Sequence, residues 1–122
     1  MTPLGIHHVN LTVADAEEAR AFYCEVLGMK VRDDRPDFPF AGWWLDIGHE
    51  QLHLVVGEPT KEKGGDHFAI RVGDLDATIV ELREKGIRIT DPMGVGANRQ
   101  SFLRDPWGNR IELQQVAAAS AP

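Results

Sequence analysis

Cysteine is nearly missing from this sequence. Cys24 stands alone among 122 residues, so no disulfide can close within the chain and a cysteine-cluster zinc site is excluded. Long apolar runs are missing too; the longest are a few residues, far short of a bilayer span. Met1-Thr2-Pro3-Leu4-Gly5 carries no basic stretch followed by an apolar one, so no secretory signal is expected there. Basic charge is in short supply: 13 Lys and Arg face 19 Asp and Glu, a formal charge of −6. That balance disfavours a nucleic-acid backbone or an anionic membrane as partner, because either would repel the average surface. What is present is 43% hydrophobic and 26% charged, a globular composition, and the length suits one domain. The expectation is a cytoplasmic, single-domain protein with no nucleic-acid or membrane partner.

The chain repeats itself. Ile6-His7-His8-Val9-Asn10-Leu11-Thr12-Val13-Ala14-Asp15 resembles Gly65-Asp66-His67-Phe68-Ala69-Ile70-Arg71-Val72-Gly73-Asp74, 59 positions later. The same offset lays Gln51-Leu52-His53-Leu54 on Arg110-Ile111-Glu112-Leu113 and Asp46 on Asp105. A repeat this long in so short a chain implies two supersecondary units that complete one fold. Each opens with an alternating strand, Val9/Leu11/Val13 and Phe68/Ile70/Val72. Asp15, with Glu18 three residues on, caps a first helix carrying Ala19, Phe22, Tyr23, Val26 and Leu27, and Gly28 stops it. Asp74 opens a second helix with Leu75, Ile79 and Leu82, ended at Gly86. Strands are expected at 29–33, 43–47 and 51–56, then at 87–90, 102–104 and 110–115, with hairpin turns at 48–50 and 105–109. The fold expected is α+β, two tandem βαβββ modules (4–57 and 66–116) joined by a polar linker at 58–65, with a plain tail over 117–122. The Arg35–Gly42 stretch, with Pro36, Phe38, Pro39 and Phe40, reads as an ordered loop beside a pocket mouth.

Strand parity selects four side chains. Val9, Leu11, Leu52, Leu54, Phe68, Ile70, Ile111 and Leu113 share the parity that covers the helices. The opposite parity holds His8, His53, His67 and Glu112, in two pairs related by the repeat. Three imidazoles and a carboxylate suit a divalent transition metal. His7 has the wrong parity and is not expected to ligate. His49 lies in a turn and should be solvated, and Cys24 should be an inert thiol.

The strings His8-Val-Asn-Leu-Thr-Val, Phe22-Tyr-Cys-Glu-Val-Leu-Gly28, Leu52-His-Leu-Val, Asp66-His-Phe-Ala-Ile and Asp105-Pro-Trp-Gly-Asn-Arg-Ile-Glu-Leu113 resemble the vicinal oxygen chelate superfamily, the glyoxalases, bleomycin-resistance proteins and extradiol dioxygenases among them. The match runs from Leu4 to Gln115. The resemblance implies an open cup-shaped mixed sheet with the helices outside. It implies one divalent ion per site (Zn, Ni, Co, Fe or Mn) held by His8, His53, His67 and Glu112, and a homodimer. It also implies a small-molecule substrate that chelates the ion through adjacent oxygens. Bacterial glyoxalase I has Glu where this chain has His53, which leaves Glu112 as the only ligand able to act as general base. Extradiol dioxygenases and fosfomycin-resistance transferases use two His and one Glu, which His8, His67 and Glu112 satisfy, and His53 is then either a further ligand or a nearby acid–base group. Substrate contacts are expected from Asn10, Arg71, Phe38, Trp44 (or Trp43) and Arg99, with Thr12, Phe40, Asn98 and Gln100 also on the cup wall. The leading expectation is a lyase or isomerase of glyoxalase type. An extradiol-type dioxygenase or metal-assisted thiol transferase is the second, and a non-catalytic binding protein for a small toxic or antibiotic molecule the third.

Overall fold

The computed structural model describes residues 1–59 and 65–117. The linker expected over 58–65 and the tail over 117–122 lie largely outside the described residues. The chain divides into two compact units, residues 1–62 and 63–122. Each holds one four-stranded mixed sheet and helical structure, an α+β architecture built from two βαβββ modules.

The first unit contains β1 (His8–Val13), α1 (Ala16–Arg20), β2 (Lys30–Val31), β3 (Gly42–Ile47) and β4 (Glu50–Val56), in sheet order β1-β4-β3-β2. The strand β1 runs parallel to β4, with Val9 opposite Leu52 and Asn10 opposite His53. The β3–β4 pair is an antiparallel hairpin closed by Gly48-His49, with Gly48 at φ +55°. The second unit contains β5 (His67–Arg71), α2 (Leu75–Glu84), β6 (Met93–Val95), β7 (Asn98–Arg104) and β8 (Arg110–Gln115), ordered β5-β8-β7-β6. Here β5 is parallel to β8, with Ala69 opposite Glu112.

Local chemistry fixes the helix starts. Asp15 Oδ1 accepts the Glu18 amide at 2.8 Å, and Asp74 Oδ1 accepts the Ala77 amide at 3.0 Å. The first helix does not run as a plain α-helix to Leu27 as expected. After Arg20 it widens into a π-helical segment, Ala21–Val26, in which the Leu27 amide donates to the Phe22 carbonyl. The wider turn reduces the angle between consecutive side chains, so neighbouring Phe22 and Tyr23 are both buried and meet edge to face. Apolar packing then holds each unit. Val13, Ala19, Tyr23, Leu45, Leu52 and Leu54 are buried in the first, and Leu75, Ile79, Leu82, Leu103, Ile111 and Leu113 in the second. Each full burial of a large apolar side chain is worth about 1.5–3 kcal/mol.

Three boundaries differ from the sequence reading. The stretch Ile87–Thr90 forms only a single bridge, Ile89 to Leu103, and the fourth strand of that sheet is Met93–Val95. Pro92, two residues beyond Thr90, has no amide to donate, so the ladder breaks and resumes beyond it. The strand β2 is only two residues long. Asp46 does not correspond to Asp105: Asp46 pairs with Gln51, whereas Arg110 pairs with Arg104. The second hairpin has the longer turn, so the offset between the third strands shortens by one and Trp44 corresponds to Phe102. Buried Asp105 organises that turn, accepting the Trp107 and Asn109 amides and the Asn109 side chain.

Candidate metal centre

Each unit presents one pair of the expected ligands on the sheet face opposite its apolar face. In the first unit β1 and β4 are adjacent and parallel, so His8 and His53 share a face, offset by two positions. Their rings stack, with centroids 3.9 Å apart and 15° between planes. His53 is buried, and its Nε2 lies 2.9 Å from Gln51 Oε1. Burial pushes the His53 imidazole below its ordinary pKa, and the nearby His8, His7 and Arg32 push it further the same way, with Asp34 opposing them. The neutral ring that results is the form that binds metals.

In the second unit β5 and β8 repeat the arrangement with His67 and Glu112. His67 Nε2 stands 3.1 Å from Glu112 Oε1, and His67 Nδ1 lies 2.6 Å from the Gly65 carbonyl oxygen. A carbonyl can only accept, so Nδ1 carries the proton. The Nε2 edge of His67 therefore faces the carboxylate, and a ring nitrogen and a carboxylate oxygen converge there. Gln114 Nε2 donates to the other Glu112 oxygen at 3.3 Å. The Glu112 carboxyl is buried. This donor set fits a divalent transition metal: imidazole nitrogen and carboxylate oxygen, with a backbone carbonyl fixing the tautomer from behind. Among the described residues, no group of three or more His, Cys, Asp and Glu side chains is gathered for a metal; the four stand as two pairs, one in each unit.

The other expected residues separate by parity. Asn10 and Trp44 lie directly opposite His53 on either side of it, on the ligand face. Trp44 stacks on His53 at 4.3 Å and 7°, and Phe38 meets Trp44 at 6.1 Å. Trp43 belongs to the helix side, where its Nε1 donates to the Ala16 carbonyl at 2.7 Å. The loop at 35–42 is ordered by its own side chains: Phe38 and Phe40 stack, and the Arg35 guanidinium lies over both rings and donates to the Phe40 carbonyl. Arg71 is exposed on the ligand face of β5, opposite Gln114. Arg99 is not on that face. It shares parity with Ser101 and Leu103 and holds Asp76 of α2 with two bonds, 2.8 and 2.9 Å. His7, expected to stand apart, has its Nδ1 2.8 Å from that of His8. Phe102 was not singled out by sequence reasoning. It lies opposite Glu112 and meets His67 edge-on at 5.4 Å. The repeat carried the signal, hidden by the one-residue change in offset. Cys24 is half-buried and burial pushes its thiol pKa up, as an inert thiol requires.

The fold defines a class, and comparison with known proteins agrees. The family described as the Glyoxalase/Bleomycin resistance protein/Dioxygenase superfamily matches residues 5–113, and the chain belongs to it. Within that superfamily, a Synechocystis sp. protein named "Probable lactoylglutathione lyase" is 31% identical over 91% of this chain and 95% of the relative. The mitochondrial methylmalonyl-CoA epimerase of Bos taurus is 29% identical over 91% of this chain and 74% of its own length. The crystal structure of an antibiotic binding protein from Streptomyces sp. CB03234 superposes with a TM-score of 0.79 at 28% identity, covering 96% of this chain and 99% of that one. No helix among the described residues is long and apolar enough to cross a membrane.

Proposed function

We propose that this chain is a divalent-metal-dependent lyase or isomerase of glyoxalase type, with His8, His53, His67 and Glu112 as ligands to one ion. Its substrate is a small molecule with two adjacent oxygens and an acidic C–H beside a carbonyl. The observation that carries this reading is the Glu112–His67 pair, a buried carboxylate set against an imidazole whose Nδ1 is already committed. The similarity to a protein named "Probable lactoylglutathione lyase" and to a methylmalonyl-CoA epimerase supports a lyase or isomerase. The ion, when bound, supplies Lewis acidity to the substrate's oxygens. Glu112 takes the proton from the carbon and returns it to the neighbouring position. Gln114 steadies the second carboxylate oxygen during that exchange. The ordered Phe38–Phe40 loop and Asn10 line the approach to His53, and Arg71 offers a positive charge to an anionic substrate group. We further propose that the protein works as a homodimer in the cytoplasm.

The binding-only reading draws on one observation, the similarity to an antibiotic binding protein at 28% identity. One experiment separates the two. Protein purified without chelator is analysed for metals by elemental mass spectrometry, then incubated in deuterated water with a 2-oxoaldehyde thiol adduct and with a 2-methyl-branched acyl thioester. The enzyme reading expects bound divalent metal and deuterium in one substrate, seen by NMR. Metal-free protein that exchanges neither would contradict it.

A further inference from the structure

We propose that Trp44 is a positioning residue for His53: its indole fixes the plane in which that imidazole is presented to a divalent ion. The inference rests on the metal-dependent reading above and adds to it a residue outside the four proposed ligands.

The geometry is that of a ring held on three sides. In the sheet order β1-β4-β3, His53 sits on the middle strand, with His8 on one flank and Trp44 on the other. Both neighbours are nearly parallel to it, Trp44 at 4.3 Å and 7° and His8 at 3.9 Å and 15°. Two rings in face-to-face contact from opposite flanks must cover opposite faces. The His53 edge is held as well, by Gln51 Oε1 at 2.9 Å from Nε2. Trp44 is itself backed by Phe38, whose stack with Phe40 is pinned by Arg35. The result is a continuous ladder of rings from the 35–42 loop to His53.

The second unit shows what this arrangement is for. Phe102 occupies the position equivalent to Trp44, opposite Glu112. It stacks on no ligand: it meets His67 edge-on at 85°, and its own face is covered by Arg110 at 4.1 Å. His67 gets its orientation from the Gly65 carbonyl at Nδ1 instead. His53 has no described backbone carbonyl partner at either ring nitrogen; its described hydrogen bond is to the Gln51 side chain, a long and rotatable group. The plane of His53 is therefore set by stacking, and Trp44, half-buried, supplies the less exposed half of the stack, since His8 is exposed. Residues that orient a ligand in this way are worth about 10–100-fold in metal affinity.

The test measures Zn(II) and Co(II) affinity by chelator competition in wild type, Trp44→Leu, Trp44→Phe, His53→Ala and the Trp44→Leu/His53→Ala double variant. Trp44→Leu is expected to weaken binding about 10–100-fold. Trp44→Phe, which keeps a flat ring, should stay within a few-fold of wild type. In the His53→Ala background the same Trp44→Leu change should cost almost nothing, because the two act as a unit. Equal affinity in wild type and Trp44→Leu, or a loss that persists undiminished without His53, would overturn the inference while leaving the metal reading intact. Wild-type protein that takes up neither ion overturns both. The metal-free wild type gives an independent check if Trp44→Leu does not fold. The His53 ring protons, lying over the indole face, should resonate upfield of the other histidines; unshifted ring protons contradict the stack.

Discussion

At the scale of single residues, Glu112 is the side chain on which the proposed chemistry turns. It is the one carboxylate among the four proposed ligands, and its burial keeps competing water away from the oxygen proposed to accept a proton. Glu112→Gln preserves size and removes basicity. It should retain the fold and lose about 10²–10⁴-fold in substrate C–H exchange at saturating metal, measured by deuterium incorporation. Exchange at the wild-type rate would pass the role of base to His53. Gly42 matters for a different reason. A Cβ there would run into the Leu54 carbonyl oxygen of the paired strand, so Gly42→Ala should destabilise by about 1–3 kcal/mol in urea unfolding. The pairing of His8 with His53 and of His67 with Glu112 on one sheet face each was legible in the sequence, because strand parity and the repeat select the same positions. The choice of Trp44 over Trp43 was not, since two adjacent tryptophans in a strand differ only in the face they occupy. Arg99 misled for the same reason: its charge suggests a substrate contact, but parity turns it toward α2, where Asp76 takes it up.

At the scale of elements, that Arg99–Asp76 pair ties β7 to the first turn of α2. The Arg99 guanidinium holds the Asp76 carboxyl below the usual carboxylate range. A carboxylate with a depressed pKa in the folded state contributes stability above its unfolded value and loses it as pH falls through the folded one. Asp76→Asn should therefore flatten part of the stability loss seen on acidification below the ordinary carboxylate range, as followed by thermal unfolding, and Arg99→Ala should do the same without lowering turnover. Reduced turnover with unchanged stability in Arg99→Ala would return this residue to the substrate contacts. The helix starts were legible, because an aspartate cap announces itself, and Asp74→Ala should cost about 1 kcal/mol. The π-helical segment was not, because its cause lies in tertiary burial of Phe22 and Tyr23 rather than in local propensity. The 87–90 stretch misread as a strand has the right apolar alternation but meets Pro92 before a ladder can form.

At the scale of the whole molecule, two βαβββ modules of equal plan carry one pair of candidate ligands each, and the proposed metal site needs both. The proposal is that His8 and His53 combine with His67 and Glu112, from the same chain or from a second copy. A homodimer follows from the second route and is compatible with the first; light scattering at micromolar concentration should give twice the chain mass, and a metal-loaded monomer would restrict the site to one chain. The central claim is tested most directly by counting metal. Wild type, His67→Ala and His49→Ala are purified without chelator, loaded with Zn(II), dialysed and analysed by elemental mass spectrometry. The account predicts about one ion per chain in wild type and in His49→Ala, whose imidazole is exposed in the β3–β4 turn, and a small fraction of that in His67→Ala. Equal metal in His67→Ala and wild type would contradict it.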